Sequence, residues 1–160
     1  SSKEISDTST KNLIENLSFS SFDKDGNKYL IKALYGSAKL VDDIKFDGSV
    51  LVYDMTNVVA VIEFPNGEEV EIKSKYARYN SITYETNFTE NIIVKYINHT
   101  LTSENLDLLF LDNLITAYNK LIYKNLNDTL IADKLEIDII TKNFKIFMNN
   151  KYESVKIIKN

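Results

Sequence analysis

Cysteine is absent from these 160 residues, and histidine occurs once, as His99. Without cysteine there is no disulfide framework, no thiolate metal site and no cysteine nucleophile. One histidine excludes a His-rich metal centre and any site that needs two. Four glycines leave no stock for a phosphate-cradling loop, and neither G-x-G-x-x-G nor a P-loop occurs. No apolar run approaches the roughly 18 residues a transmembrane helix needs. Positive charge is not in excess either. The 23 acidic and 19 basic residues leave a net charge of -4, a poor footprint for nucleic acid. What remains is 44% hydrophobic and 26% charged, enough for a single core and too balanced for wholesale disorder.

The first sixteen residues, Ser1 to Asn16, are polar apart from Ile5, Leu13 and Ile14, and read as a frayed tail or one short helical turn. The start at Ser1 without methionine suggests a processed or trimmed product, which leaves room for a membrane anchor upstream. From Leu17 to the C-terminus, short runs rich in Ile, Val, Tyr, Phe and Thr recur with two-residue alternation. Turn chemistry separates them: Asp23–Asn27, Asp47-Gly48, Pro65-Asn66-Gly67, Asn125–Asp128 and Asn149-Asn150. Asn-Gly accepts the positive φ of a tight hairpin turn. Many short strands at this spacing predict an antiparallel all-β domain over residues 17–160.

Leu106–Tyr123 alone has apolar spacing that also suits an amphipathic helix. An internal echo favours strand. Ile31-x-Ala33, Ile72-x-Ser74, Leu101-x-Ser103 and Leu130-x-Ala132 align on a small residue, the last three units 29 residues apart. Three and five positions later come Gly36 and Ala38, Ala77 and Tyr79, Leu106 and Leu108, and Leu135 and Ile137. Between these units, Asn57, Asn91 and Asn113 each precede an apolar alternation. A strand–turn–strand unit in tandem explains both series.

Candidate chemistry is sparse. Asp23-Lys24-Asp25-Gly26-Asn27 resembles the start of an EF-hand loop, but Lys28 and Leu34 stand where that loop needs glycine and a bidentate Glu. A polar hairpin turn fits better. His99 reads as a surface turn residue, since no second histidine or acidic pair accompanies it. No G-x-S-x-G elbow frames a serine nucleophile. Asp42-Asp43, Glu68-Glu69 and Glu136/Asp138 read as solvated faces rather than a glycosidase pair. Four Asn-x-Ser/Thr sequons, at Asn16, Asn87, Asn98 and Asn127, match what the composition produces by chance. The tyrosines and phenylalanines suit half-buried pleated surfaces or a cleft for an amphipathic ligand.

Several motifs taken in order resemble a known family. They are Asp-x-Asp-Gly-x-x-Tyr-x-Ile-x-Ala (Asp23 to Ala33), Val58-x-Ala60-x-Ile62, Asn66-Gly67 and Val70-x-Ile72-x-Ser74. Ala77-x-Tyr79, Phe88-x-x-Asn91-x-x-Val94-x-Tyr96 and Leu101-x-Ser103 follow. Together they resemble the LptC family of lipopolysaccharide export proteins, in the LptA/OstA-like superfamily, over roughly Leu17 to Ile146. That resemblance implies an open, twisted antiparallel β-jellyroll, or β-taco, with no catalysis and no cofactor. It implies acyl chains of lipopolysaccharide held between the sheet halves and passed from an inner-membrane ABC transporter to LptA. It also implies a periplasmic location and an N-terminal membrane helix, which this chain does not contain.

An unfilled groove must be lined by apolar side chains from one face of successive strands. The expected lining is Ile31, Ala33, Ala60, Ile62, Ile72, Ser74, Val94, Leu101, Ser103, Ala132, Leu135 and Ile137, whose small members leave width for a lipid tail. Free edge strands invite pairing with partner chains. The expected contacts are Leu17, Phe19 and Phe22 at the transporter edge. At the LptA edge they are Phe144, Ile146 and Met148, followed by 155–158. The alternative is a structural or interaction β-domain with a filled core that acts only through its edges.

Overall fold

The computed structural model describes residues 13–148 and 154–158. Residues 1–12 of the expected tail and the expected turn at Asn149-Asn150 lie outside them. The strands are β1 (Leu13–Phe22), β2 (Lys28–Asp43), β3 (Gly48–Glu63), β4 (Glu69–Asn80) and β5 (Thr86–Tyr96). They continue with β6 (His99–Leu109), β7 (Leu114–Lys124), β8 (Thr129–Asp138), β9 (Phe144–Met148) and β10 (Ser154–Ile158). All ten form one antiparallel sheet in sequence order, and among the described residues β1 and β10 have a neighbour on one side only. The sheet is open, as expected of a β-jellyroll of the taco type.

Leu13–Asn16 belong to β1 rather than to a tail, because Leu13, Ile14 and Glu15 pair with Ser37, Gly36 and Tyr35. The ambiguous Leu106–Tyr123 stretch is strand on both sides of a 3₁₀ turn at Phe110–Asp112. Asp23–Asn27 and Phe64–Glu68 are tight hairpin connections in which glycine alone takes the left-handed conformation, at Gly26 (φ 84°) and Gly67 (φ 90°). Asn66 therefore serves differently from expectation. Its Oδ1 accepts from the Glu68 N–H at 2.9 Å, an Asx turn that braces the loop.

The strands are long, not short. Val50–Tyr53 and Val58–Phe64, which read as separate runs in the sequence, are one strand up to Glu63, bent at Asn57, whose φ is 56°. Left-handed residues bend alternate strands at the same level. They are Asn16 (φ 55°) in β1, Asn57 in β3, Glu90 and Asn91 (68° and 54°) in β5, and Asn119 and Lys120 (65° and 51°) in β7. Asparagine enters this region at lower cost than most residues. The neighbouring ladders slip there, between Lys73/Tyr76, Thr89/Ile92, Thr102/Asn105 and Tyr118/Leu121. These irregularities line up as a crease running across the strands.

The crease explains the echo in the sequence. Ala33, Ser74, Ser103 and Ala132 precede it on β2, β4, β6 and β8, and Gly36, Ala77, Leu106 and Leu135 follow three residues later, all eight buried. In a flat strand, positions i and i+3 face opposite sides. The bend resets the alternation, so both stay inside. The third Asn unit precedes a strand as expected, since β7 begins directly after Asn113, but it does not lie at the crease. Asn113 caps the 3₁₀ turn, and the crease residue of β7 is Asn119.

Folded along the crease, the two halves of the sheet face each other. Phe19 of one half stacks on Tyr79 of the other at 4.3 Å between ring centroids, and Tyr29 meets Phe110 edge-on at 4.8 Å. Tyr29, Ile62, Ile72, Tyr96, Phe88, Leu106, Ile115 and Phe144 belong to one continuous buried cluster.

Candidate functional site

The candidate site is the inner face, and all twelve expected lining residues lie on it, buried at 8% exposure or less. Leu135 and Ile137 stand on the half beyond the crease, and the other ten line the opposite half. Residues left off that lining complete the second wall: Met55, Tyr79, Phe88, Leu106, Leu108 and Ile115. Tyr79, Leu106 and Leu108 stand three or five positions after a small residue of the echo, whereas Met55, Phe88 and Ile115 lie outside that series.

The expected spare width is not left open. In the row nearest the crease, small and branched residues alternate from strand to strand: Leu17, Ala33, Val58, Ser74, Ile92, Ser103, Leu121, Ala132. Each small side chain is thus flanked by bulky neighbours, a close-packed arrangement. The two serines act on the backbone. Ser74 Oγ donates to the Tyr76 carbonyl at 2.9 Å and Ser103 Oγ to the Asn105 carbonyl at 3.0 Å, satisfying groups that the slipped ladder frees. Between Phe19, Tyr29, Ile31, Tyr79, Leu108 and Phe110 the space is about 10 Å³, around the minimum for one water.

Opposite the crease, the strand ends of the two halves meet in a mouth. His99 is buried there and faces inward, a correction to the surface position expected. Its Nδ1 lies 2.6 Å from the Tyr123 hydroxyl, and its ring sits 4.5 Å from Phe144 across the mouth. Nearby, Lys142 in the β8–β9 turn crosses to the β3–β4 turn. Its Nζ lies 4.6 Å from the Phe64 ring and 3.8 Å from Glu68 Oε1. The Tyr96 hydroxyl donates to the same carboxylate oxygen at 3.2 Å. Burial pushes the Tyr96 phenol up to about 12, helped by the charge of Glu68 and that hydrogen bond. Of these polar contacts, only those of Lys142 join the two halves, since His99–Tyr123 and Tyr96–Glu68 lie within one half.

The edge residues divide by depth. Phe22 is exposed at 67%, whereas Phe19 stacks inward and Leu17 packs partly buried against the core. Phe144 and Ile146 are core residues, a correction to their expected role as contacts, and Met148 packs against the same core. The reason is topological. β9 is paired on both sides, by β8 and β10, so the free backbone edge is β10.

Asp23 shows why the EF-hand likeness fails. Its Oδ1 accepts from the N–H groups of Asp25 and Asn27, and its Oδ2 from Asn27 Nδ2 and the Tyr29 hydroxyl. The carboxylate is saturated by its own turn. Among the described residues no cluster of three acidic, histidine or cysteine side chains is placed to hold a metal ion. No helix among them is long and apolar enough to cross a membrane.

On the outer face, a depression of about 620 Å³ flanks the crease near Tyr35, Thr56 and Tyr76. Arg78 spans it with two hydrogen bonds to Asp54, at 2.7 and 3.1 Å. Burial pushes the Asp54 carboxyl up, but Arg78 and Lys39 outweigh it and hold the group below the usual range. Comparison with known protein families finds none that matches the chain, and none of the curated proteins matches it.

Proposed function

We propose that this chain is a non-catalytic lipid-transfer module of the lipopolysaccharide export type. It holds acyl chains between the sheet halves and works in the periplasm between an inner-membrane ABC transporter and an LptA-like protein. The observation that supports this most is a single open sheet, predominantly apolar along its inner face, with a strand at each end paired on one side only among the described residues. Free edges favour β-augmentation. In this reading β1 docks the transporter's periplasmic domain and β10 docks the LptA-like partner.

The inner walls touch, so lipid binding requires the mouth to part along the Phe64/Lys142 and His99/Phe144 contacts. A dozen buried methylenes contribute roughly 10 kcal/mol at about 0.8 each. Part of that replaces wall-to-wall contact already made, which keeps the net binding modest and transfer reversible. The closed interior favours a second reading, in which the core stays filled and only the edges act.

A photoreactive benzophenone side chain at Val94, which faces inward, and in a separate variant at Lys95, which faces outward, separates the two. With lipopolysaccharide added to a folded chain, adducts at position 94 and not 95 are expected. No adduct at 94, with circular dichroism unchanged, leaves the edge-only reading.

A further inference from the structure

The outer face carries a cross-strand row that the inner groove does not use. Lys32, Val59, Lys73 and Ile93 are successive register partners on β2 to β5, and all four are exposed. The row continues through Thr102 and Ile122 to Ile131, which is 80% exposed. It contains no carboxylate from end to end. Strands lie about 4.8 Å apart, so the stretch from Lys73 on β4 to Ile131 on β8 measures roughly 19 Å.

Two concavities follow this line beside the crease. The larger, about 870 Å³, is bordered by Lys32 and Lys73 with Leu34 and Val59 as exposed apolar surface. The second, about 270 Å³, lies further along at Ile93 and Thr102, with Glu104 and Lys120 on its crease side. Lys32 has no ion-pair partner among the described residues, and Lys73 reaches only Glu71 at 3.9 Å, both half-exposed. Such a pair contributes little and leaves Lys73 available to another anion.

We propose that this row is a binding groove for a single-chain anionic amphiphile, a fatty-acid-like carboxylate, lying across the strands on the outer face. The carboxylate sits between Lys32 and Lys73. The chain runs from Val59 over Ile93 toward Ile122 and Ile131. Charge complementarity selects an anionic head, since Lys32 and Lys73 stand on either side of Val59 at one end of the row and the row holds no acid. The length and apolar character of the remainder select an alkyl chain over a compact anion. An occupant of this groove does not need the mouth to open, so the site stands independently of lipid binding between the halves.

The test is a titration of the full chain, labelled at isoleucine δ1 methyls, with dodecanoate below its micelle concentration. Shifts confined to Ile93, Ile122 and Ile131 are expected, with Ile62, Ile72 and Ile115 unmoved. Lys32→Glu combined with Lys73→Glu is expected to weaken binding at least tenfold while leaving the urea midpoint nearly unchanged. Dodecylammonium is the charge control and is expected to bind at least tenfold more weakly than dodecanoate. Equal binding of the two amphiphiles overturns the proposal, as does the absence of outer shifts at millimolar dodecanoate. Shifts confined to the inner isoleucines overturn it too, while supporting lipid between the halves.

Discussion

Gly36 shows how closely β1 lies over the crease. A Cβ there would collide with Leu17 Cδ1 and stand 3.1 Å from the Asp54 carbonyl oxygen. Gly36→Ala is expected to destabilise the fold by about 1–3 kcal/mol in urea denaturation, the usual range for overpacking. Adding Leu17→Ala makes room, so the double variant should lose less than the sum of the single losses. An additive result would show that the backbone contact, not Leu17, sets the penalty.

The buried phenols give a pH dependence. Burial, followed by the neighbouring Tyr84 and Tyr53, pushes Tyr79 up to about 12, and Tyr96 is raised to about 12 as well. In the unfolded chain both lose their protons near pH 10. Between about pH 10 and 12 the unfolded state therefore binds fewer protons than the folded one, and stability falls as pH rises. Below pH 10 the contribution is fully present. Absorbance at 295 nm should show a late tyrosinate fraction that is released only on unfolding. Complete ionisation near pH 10 with the fold intact would contradict this.

Among the strands, the crease is what turns a flat ladder of hairpins into two facing walls. Asn57 carries it on β3 at a φ of 56°. Asn57→Gly should change stability by only a few tenths of a kcal/mol, because glycine adopts this conformation freely. Asn57→Val should lose about 1–2 kcal/mol or more, because a β-branched side chain clashes there. Equal urea midpoints for the two variants would mean that the bend does not depend on the left-handed residue. The bend is legible in the sequence only indirectly, through the odd spacing between Ser74 and Ala77 or Ser103 and Leu106. A run of alternation that changes phase looks like two strands when one segment is followed alone. It is one bent strand once the slipped ladders beside it are seen.

Over the entire fold, the mouth decides whether the interior is ever accessible. The Lys142–Glu68 pair at 3.8 Å is partly exposed, and it contributes on the order of 0–1 kcal/mol. The stacking of Lys142 on Phe64 adds about 0.5–1 kcal/mol more. Lys142→Ala is therefore expected to raise the open population several-fold, at about 1.4 kcal/mol per factor of ten. In the lipid-transfer reading, that variant yields more lipopolysaccharide adduct at position 94, with the urea midpoint slightly lowered. An unchanged adduct yield would place the opening elsewhere than at this turn.

Local alternation and turn chemistry are enough to specify the all-β class, the inward residues of one wall on β2 to β6 and β8, and the small-residue series, because each segment carries those signals alone. They leave His99 and Phe144 looking like surface and edge residues, since nothing local reveals that their rings meet at 4.5 Å across the mouth. Three features come from the folded chain instead: the halves close on each other, small side chains are matched by bulky neighbours, and Lys32 and Lys73 flank one outer groove. Those contacts join residues far apart in the chain, and the crease that creates them is a property of all the strands together.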